Sequence, residues 1–426
     1  MPQMAPIWFY SLASSIPVKR EVLNDAAARA LRFQWRNPAD ILSVLLLLGP
    51  EIVKKAVAAQ TGRRITPVAF SFGWVAYGAS ALLDALGGES RDGVLGGTLM
   101  PAPDVDGVMV VGADSTHLRN SSSWVLGRLL RDLTYKVDEE MHHEQQHVAN
   151  PEASNEKSPQ MRGGPAWEAL RVSVYTVDSE PKAAHGVPSL DLVWYSGCMV
   201  ILIQLVVSMV PWIVYEDWSI FLVTAAGTLL AVVGSSLPQW RQEKWACPSD
   251  GGATVAITQG NGSRHVVLIE NNRRSKIGLD LEILARATRV FKPTLQTRTI
   301  TVVLTLLWVM LLITVSGMEE HTWYLLAIGL VGSVQNLYAA GVSRSPSAHG
   351  IHITHKETIR DRRVHPVIKK VEKDYPSMGL VLLDIFYPGS LRVNNDENKE
   401  FWREAVQNRM KPNKFGVRVD TLGAKA

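Results

Sequence analysis

The residues best placed to do chemistry are His143-Glu144-Gln145-Gln146-His147. On a helix this spacing sets two imidazoles on one face at i and i+4, where they can hold zinc, with the glutamate positioned to activate a water. Glu168 lies far enough downstream to supply a third ligand. The flanks oppose this reading. A catalytic zinc helix is locked by packing so that ligands and their supporting shell keep their geometry, whereas Asp138-Glu139-Glu140-Met141-His142 and Val148-Ala149-Asn150-Pro151 are polar and then broken. Pro151, Pro159, Pro165 and the Gly163-Gly164 pair separate the motif from Glu168. With few large apolar residues, 138–164 reads as a disordered, solvated linker.

Other candidates are weaker. His349, His352 and His355 share an expected strand, but residues three apart point to opposite faces, so they do not converge on one ion. Cys198 and Cys247 are too few for a disulfide framework and suit a reducing compartment. No glycine-rich phosphate loop, nucleophile elbow or nucleotide fingerprint occurs. No catalytic, cofactor-binding or metal-binding residue is therefore nominated, and the balance lies against an enzyme.

The elements that would have to position any site are unlike those of a soluble chain. The 426 residues are 20% charged and the mean hydropathy is near zero, but the apolar residues are segregated. One hairpin runs from Leu192 to Val214, turns at Tyr215-Glu216-Asp217-Trp218 and returns from Ser219 to Leu237. A second runs from Ile300 to Gly317, turns at Met318-Glu319-Glu320-His321 and returns from Thr322 to Val342. None of the four arms contains Lys, Arg, Asp or Glu. Crossing about 30 Å of hydrocarbon takes roughly 20 apolar helical residues, so each arm reads as a transmembrane helix.

Basic flanks stay on the cytoplasmic side. Arg241 and Lys244 follow the first hairpin; Arg286, Arg289, Lys292 and Arg298 precede the second, and Arg344 follows it. The acidic turns are thus expected outside, and 87–191, 238–299 and the tail 343–426 in the cytoplasm. The sequons at Asn120 and Asn261 would then escape glycosylation. In the first quarter, Ile65 to Leu86 reads as a fifth span and Ile41 to Ala59, opened by Asn37 and Pro38, as a sixth. Pro50, Glu51, Lys54 and Lys55 weaken the latter, so five spans or a re-entrant first helix are the rivals. Six spans put both termini in the cytoplasm. Met4 to Val18, within the N-terminal segment 1–40, lacks the basic start and small-residue cleavage site of a signal peptide.

Polar residues inside the spans, Gln204 and Ser208 in the first and Gln335, Asn336 and Tyr338 in the last, are not ionisable. They suit hydrogen bonds between helices rather than ion coupling. Gly227, Gly329 and Gly332, with Ala225 and Ala226, mark points of close approach. Asp84, at a helix end, suits an interfacial role.

In the soluble pieces we expect strands at Gly107 to Ala113 and Leu170 to Val177, with a helix near Trp124 to Lys136 between them. A hairpin of Thr254 to Thr258 and His265 to Ile269 should turn on Gly260-Asn261-Gly262-Ser263, with both central residues, Asn261 and Gly262, at positive φ. The tail adds a strand near Ile351 to Thr354 and helices near Val364 to Asp374 and Asn398 to Gln407. A two-stranded hairpin is not stable alone, so strands from all three pieces should join one small mixed sheet. The fold class expected is an α-helical multi-pass membrane protein with a small mixed α/β cytoplasmic domain built from its loops and tail.

Ile65 to Trp74, Trp124 to Arg131, Gly260 to His265, Gln335-Asn336-Leu337-Tyr338, and Phe386 to Gly389 before Phe401-Trp402 together resemble a group of fungal multi-pass integral membrane proteins. Their function is uncharacterised, and some are encoded beside secondary-metabolite genes. The resemblance implies a possible tie to such a pathway but names no step, and the histidine stretch lies outside the shared pattern. A membrane-anchored scaffold or accessory protein is the leading expectation. Its partners would be the bilayer and a cytoplasmic protein. A small-molecule transporter and a membrane zinc hydrolase are the alternatives. The net charge of +4 owes much to Arg360, Arg362, Arg363, Lys369, Lys370 and Lys373, which suit either anionic headgroups or a solvated helix face. Interspersed acids and a lack of aromatic interleaving argue against nucleic acid.

Overall fold

A computed structural model describes residues 49–86, 98–149, 167–271, 276–286, 293–318, 320–388 and 396–410. Its elements are α1 (Pro50–Gln60), α2 (Gly73–Leu86), β1 (Met109–Gly112), β2 (Leu118–Asn120), α3 (Trp124–Ala149) and β3 (Leu170–Val177). There follow α4 (Leu192–Tyr215), α5 (Ser219–Ser235), α6 (Pro238–Lys244), β4 (Val255–Thr258), β5 (His265–Glu270) and α7 (Leu281–Arg286). The chain continues with α8 (Leu295–Ser316), α9 (Thr322–Gly341), β6 (Ile353–Asp361), α10 (Val364–Asp374), α11 (Met378–Phe386) and α12 (Asp396–Met410).

Both apolar hairpins form as expected, and α4, α5 with its extension α6, α8 and α9 are long and apolar enough to cross a membrane. Asp191 caps α4 by accepting from the Trp194 amide, and Thr294 caps α8 by accepting from that of Thr297. The two turns lie side by side. His321 Nδ1 is 3.1 Å from Asp217 Oδ2, and its ring stacks on Tyr215 at 4.3 Å.

The first helical pair departs from expectation. Instead of a span over 65–86, the chain is non-helical from Thr61 to Phe72 and then forms the 14-residue α2. At 1.5 Å per residue α2 is about 21 Å long, too short to cross the hydrocarbon. Pro67 offers no amide for a helix and biases Thr66 towards extended backbone. The segment enters the bundle from the sheet side and returns: Phe70 packs on Trp308 midway along α8, while Tyr77 in α2 already meets Trp240 beyond the end of α5. The described residues thus contain four helices long and apolar enough to cross a membrane, with one largely non-helical segment packed among them; 41–48 lie outside the described residues, as does the segment 1–40.

Six strands form one mixed sheet in the order β2-β1-β4-β5-β3-β6, parallel only between β3 and β5. The three soluble pieces all contribute strands, as expected. Neighbouring residues along each strand face opposite ways. Val255, Ile257, Val267 and Ile269 join α3 and the membrane helices in one core, while Ala256, Val266, Leu268, Val172 and Val174 face α10, α11 and α12 in a second. The basic residues of α10 therefore sit across the sheet from the bundle, which favours the solvated-face reading over contact with headgroups.

Two local expectations are corrected. Helix α3 continues through 138–149, tied to the sheet by Glu140 to Arg171, so this part is helical rather than disordered; 150–164 lie outside the described residues. In the β4–β5 turn positive φ falls on Gly260 and Gly262 but not on Asn261, and the Ser263 amide donates to Gly260 O. That is the type II pattern rather than one with both central residues at positive φ.

Candidate functional site

Non-helical backbone inside an apolar bundle must find hydrogen-bond partners within the protein. Here they are the intramembrane polar residues. Gln204 Nε2 donates to Phe70 O and to Ile328 O, each at 2.8 Å. Asn336 Nδ2 donates to Ala69 O at 3.0 Å and to Ser71 Oγ at 3.2 Å. Ser235 Oγ donates to Thr66 O, and Thr305 Oγ1 to Gly78 O. Of the five polar residues expected to join helices, Gln335 does so through Ser196, whereas Ser208 bonds within its own helix and Tyr338 is exposed. Gly332 and Gly227 give the inserted segment room: a Cβ at Gly332 would collide with Phe70 O, and one at Gly227 would lie 2.5 Å from the Phe70 ring.

At the base of the bundle, buried charges tie this segment to the sheet domain. Lys244 Nζ donates to Ala58 O and Thr61 O, both at 2.9 Å, and Arg344 Nη1 to Ala59 O at 2.6 Å. These are the carbonyls that the end of α1 leaves without helical partners. Arg344 also forks onto Asp191 at 2.7 and 2.8 Å. Arg128 of α3 caps the far end of α9 through Ala340 O and Val342 O and pairs with Asp104. Asp132, one turn on, accepts from the Arg344 amide and from His349 Nε2, 2.9 Å away. Arg128, Lys244, Asp132 and His349 are all at most 3% exposed. Burial alone would raise the Asp132 carboxyl, but His349, Arg128 and the Arg344 amide hold it below the usual range. Burial pushes the His349 imidazole down to about 4 against the pull of Asp132, so it is neutral at pH 7.

Among the described residues, two sizeable hollows open on the sheet domain. One, of about 300 Å³, lies between α3, the start of β3 and the β4–β5 turn. On its floor Arg171 forks onto Glu168 at 2.8 and 3.1 Å, and Arg360 reaches the same carboxylate at 2.7 Å. Despite burial, these guanidiniums keep Glu168 below the usual carboxylate range. His265 bonds Thr134 and Ser173, each at 3.0 Å, and burial with the nearby Arg171 pushes it down to about 4. The second hollow, of about 520 Å³, is open and lined by Arg119, Asp250, Asp280, Glu282 and Arg286; Arg119 and Glu282 pair at 2.7 Å.

The zinc reading can now be placed. His143 is exposed near the end of α3, and the side chains of 144–149 lie outside the description. Glu168, the possible third ligand, is committed to two arginines. Among the described residues no three His, Cys, Asp or Glu are grouped to hold a metal. His349, His352 and His355 go separate ways, to Asp132, Val187 O and Thr358. The sequence reading missed the charged junction, whose members come from five separated stretches; its one visible signal was the basic residues just beyond α5 and α9, Arg241, Lys244 and Arg344. No protein family, no curated protein and no solved structure matches the chain.

Proposed function

We propose that this protein is a membrane-anchored scaffold or accessory protein that holds a rigid sheet domain at the cytoplasmic face for a protein partner. The observation that carries the reading is the commitment of its polar groups: Gln204 and Asn336 hold the inserted segment, and Arg128, Asp132, Lys244 and Arg344 hold the domain to the bundle. Such ties favour a fixed platform over moving parts. The resemblance to fungal proteins encoded beside secondary-metabolite genes adds a tie to such a pathway, without naming a step.

The test uses the full chain in its native membrane. Crosslinking through the α10 lysines, followed by mass spectrometry, should recover one partner, which is lost when Lys369, Lys370 and Lys373 are changed to Glu. Recovery of no partner by intact protein would count against the scaffold. Orientation is checked by Glu216→Cys and Arg264→Cys: an impermeant maleimide added to sealed cells should reach the first but not the second. A transporter is the second reading, because non-helical backbone at membrane depth recurs in transporters. Vectorial release of a pathway metabolite by reconstituted protein would establish it instead.

A further inference from the structure

The first half of α3 lies across the base of the bundle. Trp124 meets the Lys244 ammonium beyond α5, Arg128 reaches Ala340 O and Val342 O, and Arg131 donates to Gly341 O at the end of α9. Residues seven and fourteen positions on share a helix face, so the stripe of Arg128 continues through Tyr135 and His142, with Glu139 between them. The opposite stripe, Leu133, Val137 and Met141, is turned to the sheet: Leu133 lies in the core shared by sheet and bundle, Val137 is buried, and Val137 and Met141 line the hollow above β3. From Tyr135 to Ala149 the helix extends about 21 Å past these bundle contacts. There Tyr135 is 63% exposed, and Glu139 and His142 are exposed as well.

We infer that this second half of α3 lies in the headgroup layer beside the bundle, with Tyr135, Glu139 and His142 against zwitterionic phosphatidylcholine. The occupant follows from continuity: the same stripe that meets the end of α9 runs outward at the level where the membrane-crossing helices end, and lipid is what borders them there. The chemistry agrees. A tyrosine suits the interface, and an aromatic face one turn from a carboxylate suits a quaternary ammonium. The inference rests on reading α9 as membrane-crossing, so the experiment includes a position that reports on that alone.

The photoreactive residue p-benzoylphenylalanine is placed singly at Tyr135, Glu139, His142, Leu337 and Arg264 of the full chain in nanodiscs of alkyne-tagged phosphatidylcholine. Leu337 faces outward on α9, and Arg264 is exposed on the β4–β5 turn. Irradiation should give lipid adducts at 135, 139 and 142 at least five-fold above the Arg264 level, with Leu337 strongly labelled. Leu337 labelled while the three α3 positions stay at the Arg264 level overturns the inference and leaves the membrane reading intact, as do protein–protein adducts in place of lipid ones. An unlabelled Leu337 removes both.

Discussion

Gln204 and Phe70 are joined by a 2.8 Å hydrogen bond from a side-chain amide halfway along α4 to the carbonyl of a non-helical residue. The same nitrogen reaches Ile328 O, so one amide links α4, the inserted segment and α9. Gln204→Leu leaves both carbonyls without this donor in an apolar setting. We expect a loss of about 1–3 kcal/mol, read as a lower thermal midpoint in detergent, with Ser208→Ala as a near-neutral control because its hydroxyl serves only its own helix.

Gly332 sits where the inserted chain passes closest to α9. Adding one methyl there in Gly332→Ala forces the segment or the helix to move, at a cost of about 1–3 kcal/mol. Gly341→Ala on the same helix has open space around it and should be tolerated, to within about 0.5 kcal/mol. Equal midpoints for the two variants would contradict the packing described.

Asp132 is the anion shared by the junction. Removing it in Asp132→Ala leaves His349 Nε2 and the Arg344 amide without their buried acceptor and Arg128 with Asp104 as its one carboxylate, and about 3 kcal/mol is expected to go. Limited proteolysis gives a sharper reading than the midpoint alone: cleavage between sheet domain and bundle should rise in this variant and stay low in Lys356→Ala, whose exposed pair with Glu270 is on the surface.

Acid should destabilise the protein through His265 and His349. Both imidazoles are pushed to about 4 in the fold against 6.5 for a free histidine, so the unfolded chain binds protons that the folded chain refuses. Stability is full above pH 6.5 and falls as pH drops towards 4, by up to roughly 3 kcal/mol per histidine. His265→Gln, which keeps a hydrogen-bonding side chain but does not titrate, should flatten its share of the slope in midpoints measured from pH 7.5 to 4.5.

The membrane helices were legible because lipid imposes one demand, an uncharged apolar run of fixed length, and α4, α5, α8 and α9 each meet it. Strand β3 and helix α10 were equally legible from local alternation and helical spacing, and their bounds match expectation residue for residue. The inserted segment was misread because Ile65 to Leu86 is apolar enough to span. What holds its non-helical backbone is a set of partners more than a hundred residues away, Gln204, Ser235 and Asn336, that no local window contains. Helix α3 was cut short for the same reason. Its polar second half meets Arg171 on the sheet through Glu140, a contact that its own composition does not foretell.

The order of strands has a consequence for biogenesis. β3 is made before the first hairpin, yet its two neighbours come later: β5 emerges after that hairpin and β6 only after the second. A ribosome therefore releases β3 with both edges bare; one stays bare until β5 is made after α4 and α5, and the other until β6 is made after α8 and α9. A chain that stalls before Asp361 carries an eight-residue strand with at least one unpaired edge, a template for pairing with other chains.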